Sequence, residues 1–203
     1  ALDKVTCAWA TDEENVLFPA EGDNTPDFTV SNAAGALADM QGYVRTRYVV
    51  AQKGQEANWN TIYPAFYNAV NFGEAGATAK YKAPVNTSGW FLPSGGQFVQ
   101  IYNNLNGDGT DLTSSNIANR NALTSIVEAI NGKFTLVGGT ELVGTNSVIY
   151  WTSVEKSATH AYLFDISINQ SAEKEYDAKF KIDAPNGVKK SSNTRAIRPI
   201  LAF

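Results

Sequence analysis

An α+β domain with a mainly antiparallel sheet and short flanking helices is the fold class that the sequence predicts. Three observations carry that expectation. Short stripes with helical spacing fill the first two thirds of the chain, β-rich runs crowd the last third, and one sharply marked strand-to-helix junction lies between them. No linker divides the chain, so 1–203 is read as one domain, with 1–32 as an N-terminal strand and extension.

Four segments carry the helical stripe. Ala33, Ala36, Leu37 and Met40 form the first, stopping near Gly42. Tyr63, Phe66, Tyr67 and Val70 form the second, with Pro64 suited to a first turn and Gly73 to a stop. The third follows the junction. Pro93 biases Leu92 towards extended backbone, Ser94 is placed as an N-cap, and Gln97 sits at capping-box spacing. Phe98, Ile101, Tyr102 and Leu105 then share one face up to Gly107. Leu123, Ile126, Val127 and Ile130 make the fourth, ending at Gly132. Ala75–Ser88, Asn103–Asn119 and Ser171–Asp177 read as loops.

Strand signals follow. Ser147–Ser153 is β-rich with little alternation, as expected when both faces are covered. Tyr162, Phe164, Ile166 and Ile168 alternate with Ala161, Leu163, Asp165 and Ser167. Phe180 and Ile182 alternate with lysines, the mark of a half-exposed strand. Arg195–Phe203 puts Ile197, Leu201 and Phe203 on one face, and Pro199 suggests an edge or a bulge. Lys4–Trp9 is a candidate strand to pair with it.

Composition narrows the function. The chain has 203 residues, 43% hydrophobic and only 18% charged, with Asn, Ser, Thr and Gly in place of charge. That surface fits an extracellular or periplasmic bacterial protein. A net charge of −4 argues against nucleic-acid binding, and the basic stretch Lys189, Lys190, Arg195 and Arg198 reads as a solvated strand end. No apolar run reaches the ~18 residues of a membrane span. The chain opens on Ala1 without a signal-like apolar core, which reads as a processed or trimmed piece of something longer.

Chemistry is sparse. One cysteine, Cys7, excludes an internal disulfide and a Cys-cluster metal site. The one histidine, His160, reads as a loop residue between two strands, so any Ser-His-Asp or Cys-His arrangement would need it. Asn104, Asn106, Asp108 and Asp111 have the oxygen spacing of half an EF-hand loop, but the twelfth position is Ser115 instead of Glu. Calcium there is a weak candidate, and a turn capping the preceding helix is the simpler reading. Asp12-Glu13-Glu14 and Glu21-Gly22-Asp23 lack the spacing that converges ligands on an ion. No phosphate-binding glycine loop occurs, and no cofactor is implied. Trp9, Trp59, Trp90 and Trp151 read as buried structural residues; on a loop, such a ring would suggest recognition by stacking.

Gly89-Trp90-Phe91-Leu92-Pro93-Ser94 resembles the signature of bacterial C-type-lectin-like domains of the major-paralogous type. Tyr150-Trp151-Thr152-Ser153, Ala161-Tyr162-Leu163-Phe164 and Ile197-Arg198-Pro199 follow in the order that family shows, over about residues 33–203. Asp39–Tyr43 and Tyr63–Phe66 look like the versions attached to surface and fimbrillin-like proteins of gut Bacteroidales. The resemblance implies a C-type-lectin-like mixed fold with adjacent terminal strands, an extracellular or outer-membrane-surface location, and a non-enzymatic role in adhesion. It maps the ligand surface to Glu155–Tyr162, with Trp151, Glu155, Lys156, His160 and Tyr162 as candidate binding residues for a glycan or protein. The Glu-Pro-Asn and Gln-Pro-Asp tripeptides of calcium-dependent sugar binding are absent, and one Cys excludes formylglycine-generating chemistry. The alternative is a structural subunit of a surface appendage such as a fimbrial tip, with other pilus subunits as partners. A glycan hydrolase is the third reading and needs two converging carboxylates. Trp90 and Leu92 are expected to plug the core.

Overall fold

The computed structural model describes residues 5–11, 17–18, 28, 30–106, 120–136, 138, 148–170, 176–192 and 195–203, without the side chains of 77, 106, 120–127, 148, 166–170 and 176–186. The acidic stretches at 12–14 and 21–23 lie outside them, as do the side chains of Leu123, Ile126, Val127, Ile166, Ile168, Phe180 and Ile182. Elements run β1 (Val5–Cys7), α1 (Ala33–Ala38), α2 (Gly42–Lys53), α3 (Trp59–Ile62), α4 (Pro64–Val70), a 3₁₀ turn (Gly76–Tyr81), α5 (Gly95–Asn106), α6 (Arg120–Leu136), β2 (Val148–Glu155), β3 (His160–Gln170), β4 (Tyr176–Lys189) and β5 (Arg195–Ile197). The fold class is α+β, with the helices lying between β1 and the other four strands.

The five strands form one sheet in the order β1-β5-β2-β3-β4. All pairs are antiparallel except β2 with β5, parallel through Tyr150 and Ala196. β1 pairs with β5 in the register Val5 to Ile197, so the N-terminal strand meets the C-terminal one as the sequence predicts. β5 stops at Ile197 because Pro199 cannot continue the ladder. The face expected to run on to Phe203 ends with that residue 97% exposed.

Covering on both sides explains the weak alternation of β2. Tyr150, Val154, Tyr162 and Phe164 face Phe98, Tyr102 and Ile130 of α5 and α6. Trp151, Ala161, Leu163 and Ile197 face the opposite layer, built from Trp9, Val49, Phe66 and Leu92. Phe98 and Phe164 stack with centroids 5.0 Å apart, and Trp9 meets Phe66 edge-on at 5.0 Å.

The helix starts follow their local chemistry. Asn32 caps α1 by accepting from Gly35 N–H at 2.8 Å. Pro64 occupies the first turn of α4, and Gly73 ends the following turn at φ 88°. Gln97 closes half of the expected capping box by accepting from Ser94 N–H at 3.0 Å. Ser94 Oγ instead donates to Asp39 O at 2.5 Å, tying α5 to the end of α1.

Four differences stand out. Met40 lies beyond α1 and is exposed. Gly42 begins α2 instead of ending α1, and α2 shows no apolar stripe because its buried face is Gly42, Arg45, Thr46 and Val49. Arg45 is fully buried, forked onto both Asp39 carboxylate oxygens, donating to Phe28 O, and stacked near Phe28. α6 runs through Gly132 to Leu136, and a 3₁₀ turn occupies part of the expected 75–88 loop.

Candidate functional site

The β2–β3 hairpin brings the sequence-predicted ligand surface together, and its backbone shows how. β2 continues through Glu155, two residues beyond the expected strand, and a register shift separates the Trp151–Leu163 and Glu155–Ala161 pairs. Lys156 and Ser157 N–H both donate to His160 O, at 2.9 and 3.0 Å, and His160 N–H returns to Ser157 O. Thr159 Oγ1 lies 2.7 Å from His160 Nδ1. From behind, Lys190 N–H donates to Thr159 O at 2.9 Å, and Gly187 sits so close that a Cβ would lie 3.0 Å from Ala161 O.

Three of the five candidate residues are internal. Trp151 and Tyr162 are fully buried, and Glu155 is 6% exposed. Trp151 sits in the core layer and donates from Nε1 to Cys7 O at 2.9 Å, stitching β2 to β1. Tyr162 points into the opposite layer, with the Lys156 ammonium 5.6 Å from its ring centroid. Glu155 pairs with Lys190 Nζ at 2.5 Å and accepts from Leu17 and Phe18 N–H at 2.8 and 3.0 Å. Lys190 in turn lies 5.1 Å from the centre of the Trp9 ring, and its carbonyl accepts from Trp9 N–H at 2.8 Å. This carboxylate fastens the N-terminal segment to the hairpin. As an acceptor already serving two amides and an ammonium, it is structural.

Lys156 and His160 are half-buried at the rim, with Ser157, Ala158 and Thr159 between them. Lys156 Nζ donates to Ser31 O at 2.8 Å. His160 is the first residue of β3, paired with Lys189, and not a free loop residue. The surface left for a ligand here is the short turn 156–160.

A second cluster of titratable groups lies under α5. Burial pushes the Tyr102 phenol well above its usual 10.0, Tyr150 adding to the rise and Arg198 opposing it. Burial also raises Tyr150, opposed by Arg198, which donates to its hydroxyl at 3.2 Å. Arg198 packs against the Phe134 ring at 4.5 Å, so this cluster ties α6 to the sheet.

Asn104 and Asn106 fall in the last turn of α5, while Asp108 and Asp111 lie outside the described residues. Among the described residues no group of three or more His, Cys, Asp or Glu side chains could hold a metal ion. No helix among them is long and apolar enough to cross a membrane.

The junction carries structure throughout. Leu92 is buried, Phe91 bridges Ile200, and Pro93 O accepts from Ser153 N–H at 2.8 Å. Trp90 is half-buried outside both core layers, a departure from the expected plug. It meets Phe72 edge-on and donates from Nε1 to Tyr81 O at 2.9 Å, so it anchors the 3₁₀ turn.

No family model and no curated protein matches the chain. The chain is similar in fold to a fimbrial protein from Bacteroides ovatus ATCC 8483, known from a crystal structure, with a TM-score of 0.56 and 16% identity. The match covers all of this chain and 35% of that one, so the chain spans about a third of the length of its structural neighbour.

Proposed function

We propose that this chain is a domain of a structural subunit of a bacterial surface appendage, displayed outside the cell and devoid of catalysis. The carrying observation is the likeness in fold, over the whole chain, to part of a fimbrial protein. The sheet supports an assembly role as well. β4 is 14 residues long and ends the sheet, with no further strand beside it among the described residues, and such an edge can accept a strand from a neighbouring subunit. The hairpin expected to bind ligand spends Trp151, Glu155 and Tyr162 on internal packing, which weighs towards scaffold.

Adhesion is the second reading, favoured by the partly exposed, hydroxyl-rich turn at 156–160 and by the resemblance to C-type-lectin-like domains. Its ligand would be a glycan or protein on a host or neighbouring cell, and the appendage would carry the domain to it. The assembly reading is tested by immunogold electron microscopy on intact cells of the encoding bacterium, with antibody raised against this chain. Gold along or at the tips of surface filaments is the expected result. Filaments left unlabelled on cells that express the chain would contradict it.

A further inference from the structure

A cleft of about 340 Å³ lies between β1, the end of α4 and the 3₁₀ turn, and it shares no residue with the hairpin turn. Its size falls at the lower end of small-ligand pockets. Tyr67, Asn68, Asn71, Phe72, Glu74 and Thr78 line it, Phe72 with only 2% of its surface exposed. Val5 of the edge strand β1 completes it.

The walls are fixed before any ligand arrives. Gly73 adopts φ 88°, and a Cβ there would lie 2.6 Å from Tyr81 O, so only glycine lets the turn close on the 3₁₀ segment. Gly73 N–H donates to Thr78 Oγ1 at 3.2 Å, and Thr78 Oγ1 donates to Ala75 O at 3.1 Å. Phe72 stacks on Tyr81 at an interplanar angle of 7°. Such preorganisation lowers the ordering cost of binding.

The lining selects a chemistry. Asn71 Nδ2 donates to Tyr67 O at 2.9 Å, which leaves its amide oxygen as an acceptor, and the Asn68 side chain sits beside the Cys7 thiol. Glu74 is exposed and is the single charge among the described lining residues, which disfavours phosphate, sulfate and acidic sugars. One carboxylate is too few for a hard cation. The Tyr67 ring beside two amides, a hydroxyl and a carboxylate matches a molecule with an apolar C–H face and a rim of hydroxyls, each both donor and acceptor.

We propose that the cleft between β1, α4 and the 3₁₀ turn binds a neutral pyranose, its hydroxyls held by Asn68, Asn71 and Glu74 and its C–H face laid on Tyr67. The site stands apart from the appendage reading, because the isolated chain binds or fails to bind whatever it assembles into. The test is a titration of the ¹⁵N-labelled chain, followed by two-dimensional NMR. The probes are glucose, galactose, mannose, fucose, N-acetylglucosamine and N-acetylgalactosamine, with N-acetylneuraminic acid as the anionic control.

At least one neutral sugar shifts the Asn68 and Asn71 side-chain amides saturably, and the acidic sugar does not. Glu74→Ala weakens that binding by about tenfold, the effect of one lost charge-assisted hydrogen bond, with an unchanged melting temperature. Three results would each overturn the assignment: no neutral sugar in the panel shifting these amides, shifts mapping to residues 156–160 instead, or Glu74→Ala binding like the parent chain.

Discussion

Among single residues, Glu155 holds distant parts of the chain together through one carboxylate. It accepts from two backbone amides of the N-terminal segment and from the buried Lys190 ammonium. Breaking such a buried pair from either side costs about 3–5 kcal/mol. Lys190→Met leaves the carboxylate its two amide donors, whereas Glu155→Leu also orphans those amides, worth a further ~1–3 kcal/mol. Urea unfolding should therefore rank Glu155→Leu below Lys190→Met, and the reverse order would show that the amides are not held by Glu155. Proton linkage makes a second prediction. Burial pushes the Cys7 thiol from 9.0 to about 11, opposed by its hydrogen bond to Asn68. The native thiol should react far more slowly with Ellman's reagent near pH 8 than the urea-unfolded chain. Tyr102 and Tyr150 are raised in the same direction, so the folded state holds their protons more tightly than the unfolded state. Their stabilising contribution is complete below the usual phenol value of 10.0 and is lost as pH rises beyond it. Tyr102→Phe should flatten the fall of the melting temperature above pH 10, and an unchanged slope would remove Tyr102 as its cause.

Within and between the elements, three glycines play different roles, and alanine separates them. A Cβ on Gly96 would lie 2.6 Å from Asp39 O at the α1–α5 contact, so Gly96→Ala should cost about 1–3 kcal/mol by overpacking. Gly89 meets nothing within 4 Å but has φ 69°, so Gly89→Ala should cost about 1–2 kcal/mol from backbone strain alone. Gly132 lies inside α6 with open space around it, so Gly132→Ala should stabilise by about 0.5–1 kcal/mol. Calorimetry on the three variants checks both signs, and a destabilised Gly132→Ala would contradict the helical environment. The same positions show what the sequence made legible. Pro93, Ser94 and Gln97 announce α5 because capping is local chemistry. α2 stayed hidden because its buried face carries Arg45 and Thr46, polar residues that bond Asp39, Phe28 O and Leu92 N–H, partners that only the fold brings near. Gly132 looked like a stop because glycine is a weak helix former, yet the helix continues through it.

At the scale of the whole molecule, a five-stranded sheet is covered on both sides by helices and the N-terminal segment. That covering turned the expected ligand surface inwards. Alternation within β3 was readable, but the burial of Glu155 depends on Lys190 and on Leu17 and Phe18, far away in sequence. The cleft beside β1 was invisible for a related reason: its lining joins Val5 to residues 67–78, far away in sequence. The fold likeness to part of a fimbrial protein gives this scaffold its proposed place in a surface appendage. Filaments sheared from cells of the encoding bacterium, banded on a density gradient and analysed by quantitative mass spectrometry, test that place most directly. Peptides of this chain should band with the filament and leave it only when the filament is dissociated. Their recovery solely from the cell bodies or as free protein, with the filament band devoid of them, would contradict it.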